Sequence, residues 1–387
     1  MKPKVLYLCP NGYLGGAERF VLEAGLIHLS QNSDLDAEIL FFGDGVAVDK
    51  AHEYGIKCRV LENQFRFKNI VQLYKALKEI KSIVENENFN IVHSTMPYAH
   101  IISSMALQFS TVKKLWFQHG PLTQWDPIGA FFSTDAILYN TTYLRDEHCK
   151  NLKQSFSPSI EKIVPYSINE DKPEPSEVSR IKEEIGNDKF RILLLGRICP
   201  WKGYETAFKA LHQLFEKFPA FKNIVRLSVV GDVGRTEDQP YYDGLKDLVK
   251  KYQLEEVVKF WGQQQNPQNF MGSHHVFLHT SNIPEPFGLV VGEAMICGAL
   301  CVGSSVGGTP EMIKHFETGI GFDSTSEDAD DLLYPHLENL VSSFYAGNFE
   351  NDYGQLISAG IAHIQNNFSR KRLGNDLLEI YQNLLRK

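Results

Sequence analysis

Two glutamates eight positions apart, Glu285 and Glu293, flank an apolar, glycine-punctuated run within NIPEPFGLVVGEAMICGALCVGSSVGGTPEMI, residues 282–313. The preceding HVFLHTS reads as a strand, so residues 282–287 form the loop at its carboxyl end. Gly288 then opens a helix carrying Leu289, Val290, Met295 and Ile296. The first N–H groups of a helix lack intrahelical partners and carry a partial positive charge, which suits a phosphate. The amides of Gly288, Leu289 and Val290 are therefore the expected phosphate donors. Glu293 lies about 7.5 Å further along the axis at about 1.5 Å per residue, an offset comparable with the distance from a phosphate to a ribose hydroxyl pair. Glu285, on the other side, would face whatever the phosphate carries, so the two carboxylates would grip opposite ends of a nucleotide-linked sugar. Taken singly, a glutamate near a helix start is an ordinary dipole partner contributing roughly a few tenths of a kcal/mol. The pair with PFG between them asks for more.

GRICPWKG, residues 196–203, follows the strand RILLL and sets Arg197 and Lys202 at a strand end. They read either as a solvated surface pair or as cations that neutralise a diphosphate. Such a leaving group is a weak base, which needs charge stabilisation rather than protonation. NGYLGGAERF, residues 11–20, follows the first strand, and Gly12, Gly15 and Gly16 would let backbone approach a ligand ahead of a helix. The spacing is not G-x-G-x-x-G, and no acidic ribose partner follows at the usual distance, which argues against a dinucleotide. His119 in WFQHGP ends another strand and reads as a hydrogen-bonded structural histidine or as a polar contact to a sugar. His93 in IVHST is a weaker candidate of the same kind. The triplets DLD (34–36) and DAD (328–330) read as solvated surface or helix starts. No carboxylate cluster calls for Mg²⁺ or Mn²⁺, so no metal and no separate cofactor are expected. Hydrolase chemistry of the Ser/His/Asp kind lacks its G-x-S-x-G turn.

The elements that must position these residues alternate along the chain. VLYLC, AEILFF, IVHST, KLWFQH, AILYN and KIVPYS are strand-like runs of a first part, and RILLLG, VRLSVVG, VVKFWG, HVFLHTS and LCVGSS belong to a second. Strands alternating with helical patterns predict an α/β chain with parallel sheets covered on both faces. Between them Ile70, Leu73, Leu77, Ile80 and Val84 form one helical stripe, read as core. Lys68, Lys75, Lys78 and Lys81 beside it read as surface lysines, with peripheral membrane contact of the N-terminal domain as the alternative. Residues 169–187 hold two prolines and many charges and read as a linker followed by a helix, with the second sheet restarting near 185. Ser369 suits an N-cap, with Leu373, Leu377, Leu378, Tyr381, Leu384 and Leu385 as the stripe of a final helix. Two doubly wound halves imply a ligand cleft at the carboxyl ends of the strands.

At 387 residues the chain exceeds one ordinary core, and 43% apolar content excludes a disordered chain. A net charge of −8 argues against nucleic acid as the main partner. The apolar run after the opening lysines is too short for a signal peptide or a span, and six scattered cysteines without a Cys-x-x-Cys pair suit a reducing compartment. A cytoplasmic protein, at most at the inner face of a membrane, is the expectation.

Together these residues resemble the retaining nucleotide-sugar glycosyltransferases of family 4, with the GT-B fold of two Rossmann-like domains facing each other across a cleft. The resemblance spans nearly the whole chain: GGAERF, GRICPWKG, VVGDVG (229–234), VKFWG (258–262), and above all the E-x7-E run with its Gly-Gly-x-Pro-Glu turn. It implies an acceptor-side domain over 1–168, a nucleotide-sugar domain over 186–368 and a final helix, 369–387, that returns to the first domain. It further implies that Glu285 contacts the donor sugar, Glu293 binds ribose, and Arg197 and Lys202 hold the diphosphate. Gly15 and Gly16 would close over the phosphates, and His119 would approach the sugar. The implied reaction moves a hexosyl group from a UDP- or GDP-sugar to a hydroxyl of a glycan or glycolipid, with retention, in polysaccharide or lipopolysaccharide assembly. Two departures stand out. PYSIN carries Tyr166 and Ser167 where the family has Asn-Gly, and Asn140 replaces a serine; neither is expected to touch the donor grip. A dinucleotide oxidoreductase, a non-catalytic GT-B scaffold and a nucleotide-sugar epimerase are the rival readings. The acceptor is unread, although Phe65, Tyr98 and Trp125 are placed in first-domain loops where rings could stack on sugars.

Overall fold

The computed structural model describes residues 2–30, 35–152 and 158–386; Asp34 of the DLD triplet lies outside them. The chain forms two compact units, Met1–Ser167 with Phe368–Lys387, and Ile168–Asn367.

The first unit is built on seven strands: β1 (Lys4–Cys9), β2 (Asp36–Phe41), β3 (Cys58–Val60), β4 (Ile91–Thr95), β5 (Lys113–Gln118), β6 (Ala136–Tyr139) and β7 (Ile160–Ile163). They run parallel in the order β3-β2-β1-β4-β5-β6-β7. The winding reverses at β1 and β4, and in such sheets ligands bind beyond the carboxyl ends of the strands at that point. Residues Val5 to Cys9 are fully buried because helices cover both faces, which explains why the strand reads as a continuous apolar run. Leu6, Leu8, Leu40 and Val92 pack against Leu73, Ala76, Ile80 and Val84 of the helix Ile70–Asn86. Ile70, read from periodicity as core, is instead 78% exposed, and Val71 and Tyr74 stand out with it. The stripe buries only from Leu73 onward, because Ile70 falls in the first turn, ahead of the part of the helix that lies on the sheet.

The helix Arg370–Arg386 completes this unit. Ser369 Oγ accepts the Arg372 amide at 3.4 Å, an N-cap contact, and Leu373, Leu377, Tyr381 and Leu384 are buried. The Tyr381 hydroxyl meets that of Tyr7 at 2.6 Å and His93 Nδ1 at 2.7 Å, while Tyr7 also meets His28 Nε2 at 2.8 Å. This buried chain fastens the helix to β1 and β4.

The second unit holds six parallel strands: β8 (Phe190–Leu195), β9 (Val225–Val230), β10 (Val258–Gly262), β11 (Val276–His279), β12 (Leu300–Ser304) and β13 (Ile320–Phe322). Their order is β10-β9-β8-β11-β12-β13, so its winding reverses at β8 and β11. The helix Pro175–Ile185 packs on this unit: the Glu174 amide donates to Asn269 Oδ1 at 2.8 Å. A Cβ on Gly272 would lie 2.7 Å from Pro173 Cγ. The units therefore divide between Ser167 and Ile168, and residues 168–185 go with the second sheet rather than standing ahead of it. Among the described residues no helix is long and apolar enough to cross a membrane.

Candidate functional site

The loops after β8 and β11 leave the second sheet side by side at its switch point, and they are fastened to each other. Lys202 sits in a short 3-10 turn, Pro200–Lys202, ended by Gly203 in the left-handed region at φ 61°. A Cβ there would lie 2.2 Å from the Thr280 carbonyl oxygen, so only glycine permits the approach. The Thr280 hydroxyl donates to the Lys202 carbonyl at 3.0 Å, and the Asn282 amide donates to the Trp201 carbonyl at 3.0 Å. These bonds bring GRICPWKG and NIPEPFG to one place.

There the Lys202 ammonium lies 2.6 Å from Glu285 Oε1, both side chains being almost enclosed. His279 Nε2 donates to the same oxygen at 2.9 Å, and the Ser281 hydroxyl donates to it as well. Burial alone would raise the Glu285 pKa, but His279 and Lys202 together hold it far below the ordinary carboxylate range. The Glu285 backbone is held too. Its carbonyl accepts the Gly308 amide at 2.8 Å, and a Cβ on Gly307 (φ 81°) would lie 2.6 Å from that carbonyl oxygen. Arg197 and Lys202 both flank the Trp201 ring, with the guanidinium carbon 5.7 Å and the ammonium 4.4 Å from its centre. Arg197 is exposed, and Gly234 makes room for it, since a Cβ there would lie 2.3 Å from its Cδ.

Gly288, at φ 86°, is the N-cap of the helix Leu289–Ile296. Its first turn offers the amides of Gly288, Leu289 and Val290 next to Glu285, and Glu293 follows one turn on, half-buried. The buried Thr309 hydroxyl has no hydrogen-bond partner among the described residues and lies 3.4 Å from where a Cβ on Gly288 would be. Two cations, an ionised carboxylate and a helix N-terminus thus meet at one sheet end, an arrangement able to hold an anion with a hydroxylated group beside it.

Sequence reading picked out Arg197, Lys202, Glu285, Gly288, Leu289, Val290 and Glu293 on this unit but missed His279, Ser281 and Trp201. His279 ends β11 and Ser281 follows two residues on, and that period, which in HVFLHTS reads as one face of a strand, was the available signal.

The remaining candidates lie on the first unit. Gly15 and Gly16 open the helix Gly16–Ser30, and the buried Glu18 carboxylate accepts the Gly15 amide at 3.1 Å. A Cβ on Gly16 would meet nothing within 4 Å. Gly12, expected to leave space for a ligand, serves packing instead: a Cβ would lie 2.4 Å from the Asp44 carbonyl. His119 follows β5, stacked 4.1 Å from the Phe117 ring, and burial pushes its pKa down to about 3. Its Nδ1 meets the Tyr166 hydroxyl at 2.6 Å, while its buried Nε2 has no hydrogen-bond partner among the described residues. Asn140 donates to the His119 carbonyl at 3.1 Å. Both departures therefore land on His119. His93 belongs to the Tyr7–Tyr381 chain and is structural. Phe65 stacks on Tyr98 at 6.2 Å and Trp125 on Phe67 at 5.0 Å, so these rings largely pack on one another.

Residues 175–333 match the family described as glycosyl transferases group 1. An N-acetyl-alpha-D-glucosaminyl L-malate synthase of Bacillus anthracis is 31% identical over 148 residues, 37% of this chain and 35% of that protein. The phosphatidylinositol N-acetylglucosaminyltransferase gpi3 subunit of Schizosaccharomyces pombe is 22% identical over 291 residues, 72% of this chain and 60% of that one. The chain thus spans between about a third and three fifths of these relatives. Among solved structures, Anabaena HepE in complex with UDP superposes with a TM-score of 0.79 at 21% identity, covering 99% of this chain and 100% of that one. The same protein is also solved with UDP-glucose.

Proposed function

With residues 175–333 belonging to the group 1 glycosyltransferases and the two parallel sheets sharing the GT-B fold, we propose that this chain is a retaining hexosyltransferase. It takes a nucleotide-diphosphate sugar, UDP- or GDP-linked, and passes the hexosyl group to a hydroxyl of a glycan or glycolipid in polysaccharide or lipopolysaccharide assembly. The observation that carries this reading is the convergence of Lys202, Arg197 and the Leu289–Ile296 helix start around an ionised Glu285. That UDP and UDP-glucose bind a protein of the same fold favours UDP as the first nucleotide to try.

In this reading Arg197, Lys202 and the amides of Gly288, Leu289 and Val290 receive the diphosphate. Their charges stabilise the leaving group directly, so the chemistry is written without a metal ion or separate cofactor. Glu293 accepts from the ribose hydroxyls and Glu285 from the sugar. As the C–O bond to phosphate breaks, the sugar gains oxocarbenium character. The acceptor hydroxyl arrives on the same face and passes its proton to the departing phosphate. Glu285 is committed to Lys202, His279 and Ser281 and does not form a covalent intermediate. The acceptor is assigned to the first unit. The exposed Ile70, Val71 and Tyr74 beside Lys68, Lys75 and Lys78 favour peripheral contact of that unit with an anionic cytoplasmic membrane surface.

A thermal-shift screen of nucleotide sugars against the wild type and Glu293→Ala tests the reading. A donor at a hundred times its Kd adds about 2.7 kcal/mol. No selective shift, or the same shift in the variant, would overturn it.

A further inference from the structure

Building on the donor assignment, we propose that His279 and Ser281 are positioning residues that hold Glu285 in the one orientation from which it addresses a donor sugar. Three donors converge on a single oxygen, Oε1: Lys202 Nζ at 2.6 Å, His279 Nε2 at 2.9 Å and the Ser281 hydroxyl. Oε2 makes no hydrogen bond among the described residues and is the oxygen left to accept from a ligand. His279 is 3% exposed and Ser281 1%, so neither reaches a ligand itself. Their effect on substrate passes through Glu285.

The chemistry of the three donors differs. A carboxylate only accepts, so the bond to Glu285 places a proton on His279 Nε2. The buried Nδ1 has no hydrogen-bond partner among the described residues, and Nε2 also lies 3.4 Å from the Ser281 hydroxyl, so the two donors stand against each other as well as against Glu285. The serine is held from behind, because the Ser324 hydroxyl donates to the Ser281 carbonyl at 2.6 Å. Both donors stand on or next to β11, whereas Lys202 reaches in on a flexible four-carbon stem from the neighbouring loop. Lys202 is also assigned to the diphosphate. When an incoming phosphate draws its ammonium, His279 and Ser281 keep Oε1 bonded, and the carboxylate keeps its charge and its aim. They make it possible for one lysine to serve two anions in turn.

The test uses the intact chain with UDP and UDP-glucose as probes. His279→Phe keeps the bulk of the ring and removes the donor, Ser281→Ala removes the hydroxyl, and His279→Gln returns an N–H near the position of Nε2. UDP affinity is expected to stay at the wild-type value in all three. UDP-glucose turnover is expected to fall on the order of ten- to a hundredfold in the first two, as for other partners that orient a working ligand, and to recover in part in His279→Gln. A crystal structure of ligand-free His279→Phe should show Glu285 in a different rotamer. Unchanged turnover in His279→Phe with Ser281→Ala, an unmoved Glu285, or a parallel loss of UDP and UDP-glucose affinity would overturn the proposal. Should His279→Phe fail to fold, Ser281→Ala alone decides, since it deletes a single hydroxyl. If Glu285→Gln leaves UDP-glucose handling intact, the donor assignment is what fails, and the Glu285 rotamer still judges the positioning role.

Discussion

Replacing Tyr381 by Phe deletes one oxygen from the centre of the first unit and leaves its packing almost untouched. That oxygen makes two hydrogen bonds, to Tyr7 at 2.6 Å and to His93 Nδ1 at 2.7 Å, and all three residues are fully buried. Each such bond contributes about 1 kcal/mol net, and a buried partner left without one costs about 1–3 kcal/mol more. Tyr7 retains His28 at 2.8 Å, but His93 is left with no partner among the described residues on either ring nitrogen. The expected loss is therefore about 3–5 kcal/mol, read as a shift of the urea midpoint at unchanged slope in the transition reporting this unit. Adding His93→Phe to Tyr381→Phe should cost less than the two single losses combined, because the second change removes the stranded nitrogen. A Tyr381→Phe loss below about 0.5 kcal/mol, the range of an ordinary surface change, would refute the reasoning.

Acidification should destabilise the protein well above the carboxylate range. Burial holds His28 and His119 down to about 3 and lowers His93 strongly, so an unfolded chain takes up protons near pH 6.5 that the folded chain refuses. Stability should fall from about pH 6.5 downward, by up to about 1.4 kcal/mol per pH unit for each such histidine; denaturant titrations at pH 7.5, 6 and 5 that coincide would contradict it. Gly231→Ala should disturb the phosphate-side loop, since its φ is 134° and the added Cβ would lie 1.9 Å from the Gly196 carbonyl oxygen. A cost of about 1–3 kcal/mol and weaker nucleotide binding are expected, by thermal melts and titration calorimetry. Vesicles with anionic lipid should sediment the wild type more than neutral vesicles do. Ile70→Glu with Lys75→Glu should abolish the difference, and equal sedimentation of that variant would remove the membrane surface from the reading.

Much of this architecture can be read from apolar periodicity alone. Runs such as VLYLC and RILLL are strands buried on both faces, and their composition carries that fact without help from context. β3 and β13 are three residues each, too short for any period to register, and pairing with β2 and β12 is what makes them strands. Ile70 shows the opposite failure: it continues a perfect stripe, but a stripe does not say where the underlying sheet stops. The chemistry was legible where residue type and spacing carry a mechanism, as with Glu285, Glu293 and the helix between them. Trp201 was not, because its place is set by a loop far along the chain, through the Asn282 amide, and such a contact leaves no local mark; His279 and Ser281 lie close in sequence to the Glu285 they hold, and only their two-residue spacing hinted at it.

The Arg370–Arg386 helix belongs to a unit whose other residues end at Ser167, roughly 200 positions earlier. During synthesis at about 5–20 residues per second, the seven-stranded sheet must therefore wait on the order of 10–40 s for its last covering element. Through that interval His93 Nδ1 and the Tyr381-facing side of the Tyr7 hydroxyl have only water or a chaperone to face. The nascent chain thus stays exposed to aggregation until Arg370–Arg386 has emerged. A stop placed just ahead of Arg370 would damage the unit whose sheet was translated first.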